Sequence, residues 1–152
     1  MSPRRQAAIS LALGVAFTAR VVGQAVQRWW AVGFLPDQDA WQGSSLPFPA
    51  LFAAQIVILA IIAVVTIRMS VGANVLPRRW VAPAFAFGVL YFAVMVVRLA
   101  LGLAGEAGLL GQDSFAAARW FTAYLPTIFH LVLATEVVLI ALYQRGHRQR
   151  IG

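Results

Sequence analysis

The sequence predicts an all-α integral membrane protein, an antiparallel bundle of four transmembrane helices with both termini cytoplasmic. Three observations lead there. The 152-residue chain is 61% hydrophobic and 11% charged, with a mean hydropathy of +0.80, whereas soluble domains carry about 45–50% apolar and about 25% charged residues. Four apolar stretches approach or exceed the roughly 20 residues that cross a bilayer as helix, without the period-two alternation of barrel strands. Arginines gather at the ends that a serpentine chain brings to one side. This composition excludes a water-soluble globule, a disordered chain and, despite the net charge of +7, a nucleic-acid-binding domain.

The first span is expected over about 7–30. Met1 to Arg5 has the look of a basic leader, but the apolar stretch after it is too long and carries Arg20, so a retained span is expected. The second span, about 48–67, is nearly pure Ala, Ile, Val and Leu. The third covers about 80–103 and the fourth about 120–143, with Pro83 and Pro126 placed near helix starts, where a missing N–H matters little. The connection 33–49 holds three prolines, two glycines, two serines and two aspartates, and stops helices. Residues 70–77 make a short turn, and the glycine-rich 102–114 reads as the third loop. No repeat or long linker divides the chain, so residues 1–152 read as a single domain.

Arginine placement sets the expected orientation. Arg4, Arg5, Arg68, Arg78, Arg79, Arg145, Arg148 and Arg150 fall on one side. Arg28 and Arg119 fall on the other, set against Asp37, Asp39, Glu106 and Asp113. A bacterial cytoplasmic (inner) membrane with cytoplasmic termini is the expectation. Trp29, Trp30, Trp80, Trp120 and Tyr143 stand at span ends, where amphipathic rings favour the interface.

Polar groups inside the spans are where function leaves a mark, since an ionised side chain at mid-bilayer costs on the order of 2.5–3.5 kcal/mol. The candidates for a ligand-binding site are Arg20, Gln24, Gln55, Tyr91, Arg98, His130 and Glu136. At 1.5 Å per residue, Arg20, Gln55, Arg98 and His130 lie ~15–25 Å from the cytoplasmic edge and Glu136 at ~6–10 Å. Arg20, Gln24 and Gln27 recur at i, i+4 and i+7, one stripe of the first helix. Tyr91 and Arg98 share a face of the third, and Thr127, His130 and Ala134 a face of the fourth. His130 and Glu136 point apart, about 240° around the helix. Arg98 is near enough to the outer boundary to snorkel to the headgroups. Arg20 is too deep for that and is expected to be buried, while Gln55 reads as interhelical glue. The layer offers two arginines and a histidine with no carboxylate at matching depth; Glu106, the nearest, belongs to the membrane edge. A partner chain or a ligand oxygen would have to supply the anion.

Familiar chemistries are missing. There is no GxGxxG, P-loop or HExxH, and no cysteine. His130 and His147 are the only histidines, which leaves a single axial bond from His130 to a haem or chlorophyll-type pigment as the extent of cofactor ligation; no metal site and no catalytic residue is assigned. Ser44, Ser45 and Ser114 lie in outer loops, far from His130. Residues 29–49 mix Phe34, Leu35, Trp41 and Leu46 with turn formers and suit an interfacial cap, either a lid or a docking surface. Three functions compete. The leading expectation is an accessory or assembly subunit of a larger membrane complex, with the bilayer and other membrane subunits, or further copies of itself, as partners. The alternative is binding or modification of a lipid or quinone in an outer-half pocket lined by Arg20, Gln55, Arg98 and His130. The third is an oligomeric channel or carrier for a small anion.

Overall fold

A computed structural model describes residues 2–41, 46–107, 109 and 124–151. The described chain is helical: α1 (Pro3–Trp30), the short α2 (Gln38–Trp41), α3 (Phe48–Ser70), α4 (Arg78–Glu106) and α5 (Tyr124–Ile151). Four of these, all but α2, are long and apolar enough to cross a membrane. The short turn 71–77 separates α3 from α4 as expected. Gly43, Ser44, Ser45, Asp113, Ser114, Arg119 and Trp120 lie outside the described residues.

The helices overrun the apolar stretches because capping and polar residues continue them. α1 starts at Pro3 because the Ser2 hydroxyl accepts from the Arg5 N–H (3.3 Å) and proline suits the first helical position. It ends at Ala31, a left-handed residue (φ 44°) whose N–H returns to the Gln27 carbonyl. Two expectations need correction. α4 begins at Arg78, so Pro83 lies inside the helix rather than in its first turn. The glycine-rich stretch after 102 does not open the third loop, since α4 runs on to Glu106 and the Tyr124 hydroxyl donates to the Gly102 carbonyl (3.2 Å).

Neighbouring spans are antiparallel, but they pack as an open row rather than a closed ring. α1 and α5 form the central pair, α3 covers α1, and α4 covers α5; α2 sits against α5 and α1. The order follows chemistry. α1 and α5 carry most of the intramembrane polar groups and bury 39% and 33% of their apolar windows, against 11% for α3 and 17% for α4. Small residues permit the contacts. A Cβ on Gly14 would stand 3.0 Å from Ile62, and one on Gly88 would stand 2.8 Å from Val138.

One core cluster joins Ala7, Met69 and Tyr143 at the end that holds the N-terminus; a second joins Phe17, Val21 and Ile62 at mid-height, with Phe129 and Leu133 packed on it. The turn 71–77 is fastened to α5 at the N-terminal end. The Gln144 Oε1 accepts from the Val75 and Leu76 N–H groups (2.8 and 3.1 Å), and its Nε2 donates to Asn74 Oδ1 (2.6 Å). The Tyr143 hydroxyl donates to the Ala73 carbonyl (3.0 Å). Arg4, Arg5, Arg68, Arg78, Arg79 and Arg145 therefore share this end of the molecule.

Candidate functional site

The opposite end holds a polar cluster built from α1, α3, α4 and α5 under the cap of α2. The predicted stripe on α1 faces inward along its whole length, with Arg20, Gln24 and Gln27 all buried. The Arg20 guanidinium lies between two aromatic faces, 6.0 Å from the Phe17 ring centroid and 5.3 Å from that of Phe129. Its Nη2 donates to the Trp41 backbone carbonyl at 3.4 Å, and its Nε has no hydrogen-bond partner among the described residues. One turn further, the Gln24 Oε1 accepts from Gln55 Nε2 (3.0 Å), joining α1 to α3. Gln24 is fully buried, and its Nε2 also lacks an acceptor among the described residues.

α2 closes the cluster from above. Trp41 is buried, its Nε1 donates to the Pro36 carbonyl (2.9 Å), and its ring rests on Gly23 of α1. A Cβ at Gly23 would meet the Trp41 Cη2 at 2.9 Å, so glycine makes the seat. Within the segment 29–49, Trp41 thus sits over Arg20; residues 42–45 are outside the described set.

On the α4–α5 side, the Tyr91 hydroxyl and His130 Nδ1 are 2.5 Å apart, and Phe87 stacks on Tyr91 (centroids 5.6 Å apart). Arg98 is 3% exposed, which corrects the expectation that it snorkels to the headgroups: its side chain turns inward, close enough to Tyr91 and His130 for its charge to bear on both. Arg20 is also close enough for its charge to bear on His130, and its guanidinium lies over the ring of the neighbouring Phe129. Thr127 and Ala134 are fully buried on the face they share with His130.

Six of the seven candidate residues, Arg20, Gln24, Gln55, Tyr91, Arg98 and His130, are therefore brought together. Glu136 is not. It is buried in the other half of the molecule, where Ser10 donates to its Oε1. Sequence reasoning missed the backbone carbonyl of Trp41 as the acceptor for Arg20, and a backbone atom leaves no trace in residue identity. It also missed Ser10 and Thr66 beside Glu136, though hydroxyls inside apolar stretches were a usable signal.

Chemically, the cluster offers both donors and acceptors, since the buried Gln27 Oε1 and Gln55 Oε1 also lack partners among the described residues. Arg20 makes no ion pair among the described residues, and two buried donors, Arg20 Nε and Gln24 Nε2, remain for an incoming oxygen. The Tyr91–His130 pair can give or take a proton at its border. No three His, Cys, Asp or Glu side chains gather to hold a metal ion among the described residues. Comparison with known proteins adds no identity: no family model, no curated protein and no solved structure matches the chain.

Proposed function

We propose that this chain is an integral membrane protein that binds the oxygen-bearing head of a membrane-resident small molecule of the lipid or quinone class. One observation carries the reading: buried donors converge under a fitted cap, with Arg20 Nε and Gln24 Nε2 left without acceptors among the described residues. An unsatisfied buried donor costs about 1–3 kcal/mol, more when charged. A phosphate, carboxylate or carbonyl oxygen seated there would recover that loss. Arg20 and Arg98 hold the oxygen, Gln24 and Gln55 orient it, and the Tyr91–His130 pair exchanges protons with it. Trp41 must move aside or admit the ligand along its edge.

In the same reading the arginine-rich end faces the cytoplasm and the capped cluster lies in the outer leaflet of a bacterial inner membrane. The excess of arginines at the end that carries the N-terminus supports this orientation.

Native mass spectrometry of the protein, extracted with its lipids retained, tests the proposal. The wild type should carry one discrete non-protein mass, and Arg20→Leu and His130→Ala should lose it while remaining folded. Arg20→Lys, which keeps the charge but lacks the planar fork, should hold it weakly. A bare chain would overturn the ligand reading. Co-isolation with a second polypeptide at fixed stoichiometry would return the protein to the class of accessory subunits.

A further inference from the structure

Away from the capped cluster, three helices contribute one oxygen-bearing side chain each to a point near the arginine-rich end. Glu136 of α5 is 2% exposed, Ser10 of α1 is fully buried, and Thr66 of α3 stands half-buried beside them. The Ser10 hydroxyl donates to Glu136 Oε1 at 2.5 Å and lies 2.7 Å from the Thr66 hydroxyl. A serine has one proton to give, and here it goes to the carboxyl group, so Thr66 must donate to Ser10. The two contacts therefore have one direction, from Thr66 through Ser10 to Glu136.

The charges nearby do not compensate a carboxylate. The charged and titratable groups described on the helices that meet here, besides Glu136, are Arg4, Arg5, Arg20 and Arg28 on α1, Arg68 on α3, and Tyr124, His130, Tyr143, Arg145 and His147 on α5. Arg20 and His130 belong to the opposite end; Arg68 donates to the Asn74 carbonyl, and His147 stacks on Tyr143. Ser10 is the group that acts on Glu136, and the second carboxyl oxygen, Oε2, has no hydrogen-bond partner among the described residues. One hydroxyl cannot stabilise an ionised carboxylate in an apolar setting, where unpaired charge is heavily penalised. A neutral acid fits the geometry, with Oε1 as the accepting carbonyl oxygen and the proton on Oε2.

Thr66 also lines a groove of about 300 Å³ between α1 and α3, with Leu11, Gly14, Thr18, Ile62 and Ile67 along it. The groove gives the hydroxyl chain an outlet at the surface of the helix row. We propose that Ser10, Thr66 and Glu136 form an intramembrane proton-binding site, with Glu136 as the carrier and the two hydroxyls as its connection to the α1–α3 groove. Release reverses both hydroxyls: with the acid proton turned onto Oε1, Ser10 accepts it as its own proton passes to Thr66, and Thr66 gives its proton to a water molecule entering the groove. The site is independent of the ligand cluster and does not rest on that reading.

Infrared spectroscopy of the protein in lipid nanodiscs at neutral pH tests it. The remaining side-chain carboxyls, Asp37, Asp39, Glu106 and Asp113, lie in or beside connecting segments of the sequence. A carbonyl stretch of a protonated carboxylic acid should be present, should shift on transfer to deuterated buffer, and should vanish in Glu136→Gln. Glu136→Asp should move the band rather than remove it, which keeps the assignment testable if the glutamine variant fails to fold. Thr66→Val removes the hydroxyl at nearly constant shape; the band should persist while its deuterium shift slows several-fold. Absence of the band, or its survival in Glu136→Gln, overturns the proton site, and an unchanged exchange rate in Thr66→Val overturns the hydroxyl connection.

Discussion

At the scale of single residues, Gly23 decides whether Arg20 can be covered. A side chain there has no room, because the Trp41 ring already occupies the space a Cβ would take. Gly23→Val should push the ring outward, separate the Trp41 carbonyl from the Arg20 guanidinium and destabilise the protein by about 1–3 kcal/mol, the usual penalty for overpacking. Tryptophan fluorescence should shift to the red, provided that Trp29, Trp30, Trp80 and Trp120 are first replaced by phenylalanine; an unshifted spectrum would show that Trp41 does not depend on this seat. Gly23 could be read from sequence as a packing glycine, but its partner lies 18 residues away across a turn that holds Gly33 and Pro36, and no periodicity links the two. The stripe of Arg20, Gln24 and Gln27 was legible because 3.6-residue spacing survives any tertiary arrangement. The inward turn of Arg98 was not, since depth alone cannot say which way a long side chain leans.

At the scale of elements, the connection between α3 and α4 is held by a residue from the far end of the chain. Gln144 supplies an acceptor to two consecutive backbone N–H groups, Val75 and Leu76, and a donor to Asn74. Gln144→Leu should raise amide hydrogen exchange at residues 75 and 76 and lower stability by about 1–3 kcal/mol, because part-buried backbone donors lose the Gln144 acceptor. Exchange left as slow as in the wild type would assign the fastening to Tyr143 alone. Span boundaries were legible to within a few residues where apolar runs end at prolines, as at Pro47 and Pro77. They slipped at Gly102, because helix continues past the hydrocarbon edge wherever its backbone bonds are still satisfied.

At the scale of the whole molecule, the arginine-rich end should lie on the cytoplasmic side. Fusions at either terminus should give fluorescent green fluorescent protein and inactive alkaline phosphatase; active phosphatase at the C-terminus would invert the orientation. The four-helix composition was plain from apolar length alone, whereas the order α3–α1–α5–α4 was not, because hydropathy ranks helices without naming their neighbours. That order has a bearing on biosynthesis. α1 emerges from the ribosome first, and Gln55 of α3 is soon at hand for Gln24, but Phe129, which covers Arg20, belongs to the last helix made. Until α5 inserts, the newborn α1–α3 hairpin leaves the Phe129 side of the Arg20 guanidinium uncovered. A chain halted before residue 124 should therefore be recognised by membrane quality control and degraded, even though three of its four spans are in place.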